Sequence, residues 1–410
     1  MIKKIINNKL FLLDVDNKII SEKILLKSEQ KYIIGIIIDS PIIIPPTTGV
    51  TYRLYYLSKA LSELGYKQVW FVGNRNHGDL NSINSLKNDY VKIHLLPPDK
   101  LYNHEYLSNL IKLENINILQ FELSETFLAI APKLKKLNQL PIILETHDIE
   151  ASLRASLGRS QEIDLMKFIQ YSACSLADAI VTMTPGDYNS LIDDIGITKH
   201  KLFLAPNGVN MNNQPKNINF DEPTLIFLGN MYYPPNQQGL IYTIENVLPI
   251  VLKSNSNVVL KVIGMVPENI RNLYENDNVI FTGEVTSEIE FRNYLSSGSV
   301  GLCILFSGSG MKVKVLDYCI NTLPIILTKV GLSGYEKNTS FILVDENADS
   351  IANAIIDLLS NKNKLIYLGE KNREFVIKNF SWDSICKKMI EAYDLAYDLN
   401  QDIIFDKTIV

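Results

Sequence analysis

Between Tyr32 and Gly208 the chain alternates short, unbroken apolar runs with stretches whose apolar residues recur at helical spacing. "YIIGIIID" (Tyr32–Asp39) is a continuous run of the kind a strand buried on both faces requires. A Pro-rich loop, "PPTTG", separates it from "VTYRLYYLSKALSELG", where Leu54, Leu57, Leu61 and Leu64 mark one helical face and Gly65 reads as the C-terminal cap. The runs return as "VWFVG" (Val69–Gly73), "NILQFE" (Asn117–Glu122), "PIILETHD" (Pro141–Asp148) and "AIVTMT" (Ala179–Thr184), closing with "KLFLAPNG" (Lys201–Gly208). Strands alternating with helices in this way predict βαβ units and a parallel sheet covered on both faces.

A polar stretch, "NMNNQPKNINFDEP" (Asn210–Pro223), interrupts the pattern and reads as a linker. The alternation then restarts through "TLIFLGN", "VVLKVIG", "VIFTGEV", "VGLCILF", "LPIILT" and "SFILVD", and ends in helical segments that include "SWDSICKKMIEAYDLAYDL" (Ser381–Leu399). The pattern therefore predicts an α/β chain of two Rossmann-like halves: an N-terminal one over 31–205 and a C-terminal one over 206–380, followed by a terminal helix and tail over 381–410. Residues 1–30 precede them as an appended piece, with a β-hairpin expected around "DVDNK". Open parallel sheets bind ligands beyond the C-terminal ends of their strands, so two such edges facing each other predict a site between the halves.

Composition narrows the function. At 410 residues the chain exceeds one ordinary core, consistent with two domains. The formal net charge of −5 argues against a dedicated nucleic-acid binder. Cys174, Cys303, Cys319 and Cys386 are scattered, form no CxxC pair and read as reduced structural thiols. No apolar run approaches the ~20 residues of a membrane span, and the apolar part of "MIKKIINNKLFLL" is too short for a signal peptide. The expectation is a cytoplasmic protein, with any membrane contact confined to the surface.

Four loops at strand ends carry chemistry. "PPTTGV" places Gly49 at a helix start, where it is read either as a turn glycine or as an opening for an anion onto free N–H groups. "ETHDIE" places His147 and Asp148 directly after a strand, where an imidazole can bond a sugar hydroxyl or stabilise developing charge; the competing role is packing or helix capping. "FLGNMYYPPNQQG" ends a strand at Gly229 and offers Asn236 as a helix N-cap, but no Lys or Arg lies between Pro223 and Lys253. "SGSGMKVKVLD" (Ser307–Asp317) is the most informative. Gly308 and Gly310 let the backbone curl around a phosphate, and Lys312 and Lys314 add charge at a helix start. Two residues apart, the lysines cannot share a face of an ideal helix, so one belongs to the first turn or the loop. Asp317 further along offers an acceptor that suits a ribose hydroxyl; the competing reading of the stretch is a capped amphipathic helix with solvated lysines.

"LAPNGVN", "FLGNMYYPPNQQGL", "GSGMKVKVLDYCINTLPIILT" and "NFSWDSICKKMIEAY" occur in an order that resembles the retaining glycosyltransferases of family four, which have the GT-B fold. The resemblance runs over about 32–400 and implies two facing Rossmann-like domains, an interdomain cleft and a terminal helix around Trp382 that crosses back to the first domain. It implies transfer of a sugar from a nucleotide-diphosphate donor to a hydroxyl acceptor, without a metal or other cofactor, in polysaccharide or glycoconjugate synthesis. His147, Lys312 and Lys314 would be catalytic, the lysines standing at the family's Arg and Lys. Gly229, Asn230, Gly308, Ser309, Gly310, Met311, Asp317 and Asn207 would hold the donor, Asp317 on its ribose, and Gly49 and Arg53 would lie on the acceptor side. Many members of the family carry Glu where this chain has Ser309 and Asp317, and many carry Arg and Lys in the segment where it has Gln237 and Gln238. Two other readings share the architecture: a sugar-nucleotide epimerase or hydrolase that needs no acceptor, and a non-catalytic partner subunit.

Overall fold

The computed structural model describes residues 2–6, 9–13, 19–24, 32–40, 42, 46, 48–73, 83, 86–209 and 223–408. The expected linker at 210–222, residues 14–18 of the N-terminal hairpin turn, and Pro45 and Thr47 of the first loop lie outside them.

Three strands at the N-terminus, β1 (Ile2–Ile6), β2 (Lys9–Leu13) and β3 (Ile19–Ile24), form a small antiparallel sheet. The expected hairpin is the β2–β3 pair; β1 adds a strand that the pattern did not separate. Seven parallel strands follow: β4 (Ile33–Ile38), β5 (Lys67–Gly73), β6 (Val91–Leu96), β7 (Ile118–Glu122), β8 (Ile142–Thr146), β9 (Ala179–Thr182) and β10 (Leu202–Leu204). Their spatial order is β10-β9-β8-β7-β4-β5-β6. Apolar periodicity missed β6, because this edge strand alternates buried and exposed positions around Lys92 and His94 instead of running unbroken. The second sheet contains β11 (Thr224–Leu228), β12 (Val259–Ile263), β13 (Val279–Phe281), β14 (Val300–Cys303), β15 (Ile325–Leu327) and β16 (Ile342–Leu343), in the order β13-β12-β11-β14-β15-β16. All its pairings are parallel.

In each large sheet the strand order reverses beside the first strand, between β4 and β7 and between β11 and β14. Loops leaving such a switch point diverge to opposite faces and open a crevice. Helices close both faces of each sheet. Helix Gly49–Glu63 buries Leu54, Leu57 and Leu61 on the face its sequence predicts. It ends at Leu64, with Gly65 at φ +82° satisfying the last carbonyls in a left-handed cap.

The terminal helix Trp382–Thr408 crosses back from the second sheet. Trp382, Ile385, Cys386, Met389, Ala392, Tyr393 and Ala396 enter the core built on β4, β5, β8 and β9. Val209 bonds the Phe380 carbonyl at 2.7 Å at the crossing point. Trp382 packs so closely on Gly208 that a β-carbon there would lie 2.5 Å from the indole, which requires glycine. The architecture is the GT-B fold: two facing Rossmann-like domains and a crossover helix. All four cysteines are buried and free, and among the described residues no helix is long and apolar enough to cross a membrane.

Candidate active site

The chain leaves β14 at the switch point of the second sheet and enters a loop in which Gly308 has φ +115° and Gly310 φ +68°. Both angles lie where side chains are strained, so glycine is required. Helix Val313–Ile320 begins immediately after, with Lys312 at its N-cap and no side chain capping it. The amide of Gly308 donates to Ser156 Oγ at 3.0 Å. Those of Ser309, Gly310 and Met311 have no partner among the described residues. Unpaired N–H groups converging on a helix start, with its positive dipole end, form an anion cradle.

The lysines meet this cradle differently, as their spacing required. Lys312 precedes the helix, and its ammonium donates to the carbonyls of Ser309 and Gly310, the latter at 2.9 Å. Burial lowers its pKa, while Asp148 and Asp187 favour its charged form. Lys314 lies within the first turn and donates to Asn236 Oδ1 at 2.7 Å, with its ammonium 5.4 Å from the Phe227 ring centre. Burial pulls Lys314 down to about 8. Asn236 in turn donates to the Asn230 carbonyl at 3.0 Å. It is not the helix N-cap expected from sequence: Tyr233 occupies that position, and Asn236 sits inside helix Pro234–Tyr242. A β-carbon on Gly229 would lie 2.8 Å from Asn236 Nδ2 and 3.2 Å from Lys314 Nζ, so this glycine makes room for the lysine.

Asp317 follows on the same helix, partly buried, and desolvation raises it to about 7. Its carboxylate has no hydrogen-bond partner among the described residues. The Asn207 amide donates to Met311 Sδ at 3.3 Å, and its buried side-chain oxygen is unpartnered.

The first domain contributes the opposite wall. His147 leaves β8 and its Nε2 lies 2.7 Å from Glu122 Oε2 at the end of β7. Burial opposes the charged ring, but the bond to Glu122 outweighs it and holds His147 above the ordinary histidine range. Burial and the neighbouring Glu145 charge raise Glu122. Glu145 is buried too, yet is held low by the Arg53 guanidinium.

That guanidinium corrects one expectation. Arg53 is fully buried, not facing an acceptor: it grips Glu145 through two bonds of 2.9 and 2.8 Å and donates to the Pro206 carbonyl at 2.9 Å. Among the described residues, Glu122, Glu145 and His147 bring ligand-type atoms within 4.8 Å of one another, but Arg53 already takes both Glu145 oxygens. Gly49 begins its helix exposed, with open space where a β-carbon would point, while Thr48 caps the amide of Thr51 at 3.2 Å.

The sequence pattern singles out His147, with Asp148 only as its neighbour, and does not single out Asp187. Ser309 Oγ donates to Asp148 Oδ1 across the cleft at 2.8 Å. Asp187 is buried with one oxygen unpartnered, and burial raises it to about 6. For Asp148, Glu122 and Glu145 the signal existed: acids closing apolar strands at the sheet edge where ligands bind.

Two GT-B domains face each other across a loop with unpaired amides and two lysines at a helix start. The description "Glycosyltransferase Family 4" matches residues 47–213, and "Glycosyl transferases group 1" matches 222–361. The chain belongs to the family-four glycosyltransferases. It is 22% identical to an uncharacterized glycosyltransferase of Methanocaldococcus jannaschii, over 66% of this chain and 73% of that one. Identity is 26% to an uncharacterized 44.6 kDa protein in the cps region of Klebsiella pneumoniae, over 38% of this chain and 42% of that protein. A GDP-mannose-dependent α-(1-6)-phosphatidylinositol monomannoside mannosyltransferase of Mycobacterium tuberculosis is 25% identical, over 42% of this chain and 47% of the enzyme. These last two matches span less than half of the relatives' length. Among solved structures, a sucrose-phosphate synthase of Thermosynechococcus elongatus superposes with a TM-score of 0.71 at 16% identity, covering 90% of this chain and 100% of that one. The Anabaena protein HepE in complex with UDP-glucose gives 0.69 at 12% identity, covering 88% and 99%.

Proposed function

We propose that this glycosyltransferase moves a sugar from a nucleotide-diphosphate donor to a hydroxyl acceptor with retention, in the assembly of a polysaccharide or another glycoconjugate. The observation that carries the reading is the uncapped Ser309–Met311 cradle with Lys312 and Lys314 at the second sheet's switch point. We assign 206–380 to the donor and 31–205 to the acceptor, with Gly49 on the acceptor side.

In this mechanism the donor diphosphate lies on the cradle amides, and its charge draws the lysine ammonium groups from their present partners. Asp317 accepts from the ribose, and Gly229, Asn230 and Asn207 line the nucleotide. As the bond from the sugar to the phosphate breaks, charge grows on the leaving oxygen. Contacts there bind the transition state more tightly than the ground state and so accelerate the reaction. The ring left behind is oxocarbenium-like, and His147 stands beside it. The acceptor hydroxyl attacks on the face the diphosphate leaves, and the departing phosphate oxygen takes its proton. No separate protein base is demanded.

The test is a thermal-shift screen with UDP-glucose, GDP-mannose and ADP-glucose, followed by turnover with and without candidate hydroxyl acceptors. Binding raises apparent stability by mass action. Stabilisation by a nucleotide sugar and acceptor-dependent release of nucleotide are expected. Acceptor-independent turnover would assign the chain to hydrolysis or epimerisation, and binding without turnover to a partner-subunit role.

A further inference from the structure

We infer that Asp148 is a specificity-determining carboxylate for the donor sugar, supplied to the phosphate cradle from the opposite domain. The inference rests on the donor-binding reading above and adds which group reads the sugar.

Asp148 stands at the mouth of the cradle. Its Oδ1 accepts from Ser309 Oγ at 2.8 Å, and its other oxygen has no hydrogen-bond partner among the described residues. The residue is only partly buried, and that oxygen is not sealed from solvent. Its backbone is pinned: Gln170 Nε2 donates to the Asp148 carbonyl at 2.9 Å, while Gln170 Oε1 accepts from the Glu150 amide at 3.2 Å. The second domain is shaped around it. A β-carbon on Gly310 would lie 2.2 Å from Asp148 Oδ1 and 3.0 Å from the His147 carbonyl, so glycine at 310 is what lets the carboxylate seat against the loop.

A diphosphate held by the Ser309–Met311 amides leaves its sugar immediately beside the cradle. The sugar's hydroxyls are hydrogen-bond donors, and a carboxylate accepts from two of them at once with charge-assisted strength. Ser309 offers one hydroxyl, already turned to Asp148. The other charged groups that bear on this position are Lys312, His147, Asp187 and Glu150. Lys312 is a donor turned to the loop carbonyls. Burial raises Asp148 as it does Asp187 and Glu150, but only Asp148 is bonded to the cradle, and its bond from Ser309 and the charges of Lys312 and His147 oppose the rise. Asp148 is therefore the acceptor in position to distinguish one hydroxyl arrangement from another.

The experiment compares wild type, Asp148→Asn and Ser156→Ala by calorimetric titration. Ser156→Ala removes another cross-cleft bond of the same loop, from the Gly308 amide, and leaves the carboxylate in place. Each protein is titrated with UDP, GDP and ADP and with UDP-glucose, UDP-galactose, GDP-mannose and ADP-glucose, after thermal unfolding has shown each variant folded. In Asp148→Asn we expect nucleoside diphosphate affinity to stay within about threefold. The added affinity contributed by the sugar should fall about tenfold or more, and discrimination between UDP-glucose and UDP-galactose should narrow if UDP is the nucleotide bound. Ser156→Ala should move nucleotide and nucleotide sugar alike. Equal changes for nucleotide and nucleotide sugar in Asp148→Asn, or none in either, would overturn the inference and reduce the Ser309 contact to a closure latch. Failure of every nucleotide to bind wild type would instead sink the donor-binding reading, and this inference with it.

Discussion

Lys314 offers a measurement in which stability and function move in opposite directions. Its ammonium is largely enclosed, with one hydrogen bond to Asn236 and the Phe227 ring as compensation. Its pKa falls from the ordinary 10.5 to about 8, burial being the main cause. At about 1.4 kcal/mol per tenfold change in proton affinity, holding the charge costs the folded protein about 3 kcal/mol. Replacing it with methionine removes that cost but leaves Asn236 Oδ1 without its donor, at about 1 kcal/mol. Solvent in the cleft screens part of the remainder. Lys314→Met should therefore stabilise the ligand-free protein by about 1–2 kcal/mol in urea denaturation below pH 8. The sign follows from linkage: between pH 8 and 10.5 the unfolded chain binds the proton and the folded one does not, so wild-type stability rises there relative to the variant. The advantage of Lys314→Met should shrink across that window. The same variant should lose at least about tenfold in nucleoside diphosphate affinity, because a charge-assisted contact goes. A destabilised variant, or stability differences that stay parallel from pH 7 to 10.5, would refute the argument.

Arg53→Met should destabilise the protein by about 3–5 kcal/mol in the same urea assay, because it leaves Glu145 buried without its cation; a loss below about 1 kcal/mol would mean that solvent reaches the pair. Asp317→Asn tests the nucleotide end of the site. Burial holds the wild-type carboxyl at about 7 against an ordinary 3.8, so the folded state binds more protons and stability falls as pH rises between those values. The amide variant should lack that slope in thermal melts taken from pH 4 to 8, and wild type and variant running in parallel would contradict it.

How much of this was legible in the sequence depended on whether a local rule governed it. Twelve of the parallel strands were readable because each lies in a mostly apolar run, even where, as in β13 and β16, one residue is exposed, whereas β6 carries Lys92 and His94 in alternation with its apolar residues. The glycine pair before Lys312 announced a strand-to-helix anion cradle because backbone conformation is a local property. Arg53 obeys a local rule as well. It lies four residues before Leu57 and eight before Leu61, on the apolar stripe of its helix, so periodicity alone turned it inward. What no spacing could supply was its partner Glu145, 92 positions away in the chain. Gly310 carries the same lesson one step further. A positive φ explains why the loop needs glycine there, but not why a β-carbon would lie only 2.2 Å from another atom. That space is filled by Asp148, which arrives from the other sheet. Gly310 thus answers two constraints, one from its own loop and one from across the cleft, and only the first leaves a mark in the neighbouring residues. A larger residue at 310 would strain the loop and displace the Asp148 carboxylate together.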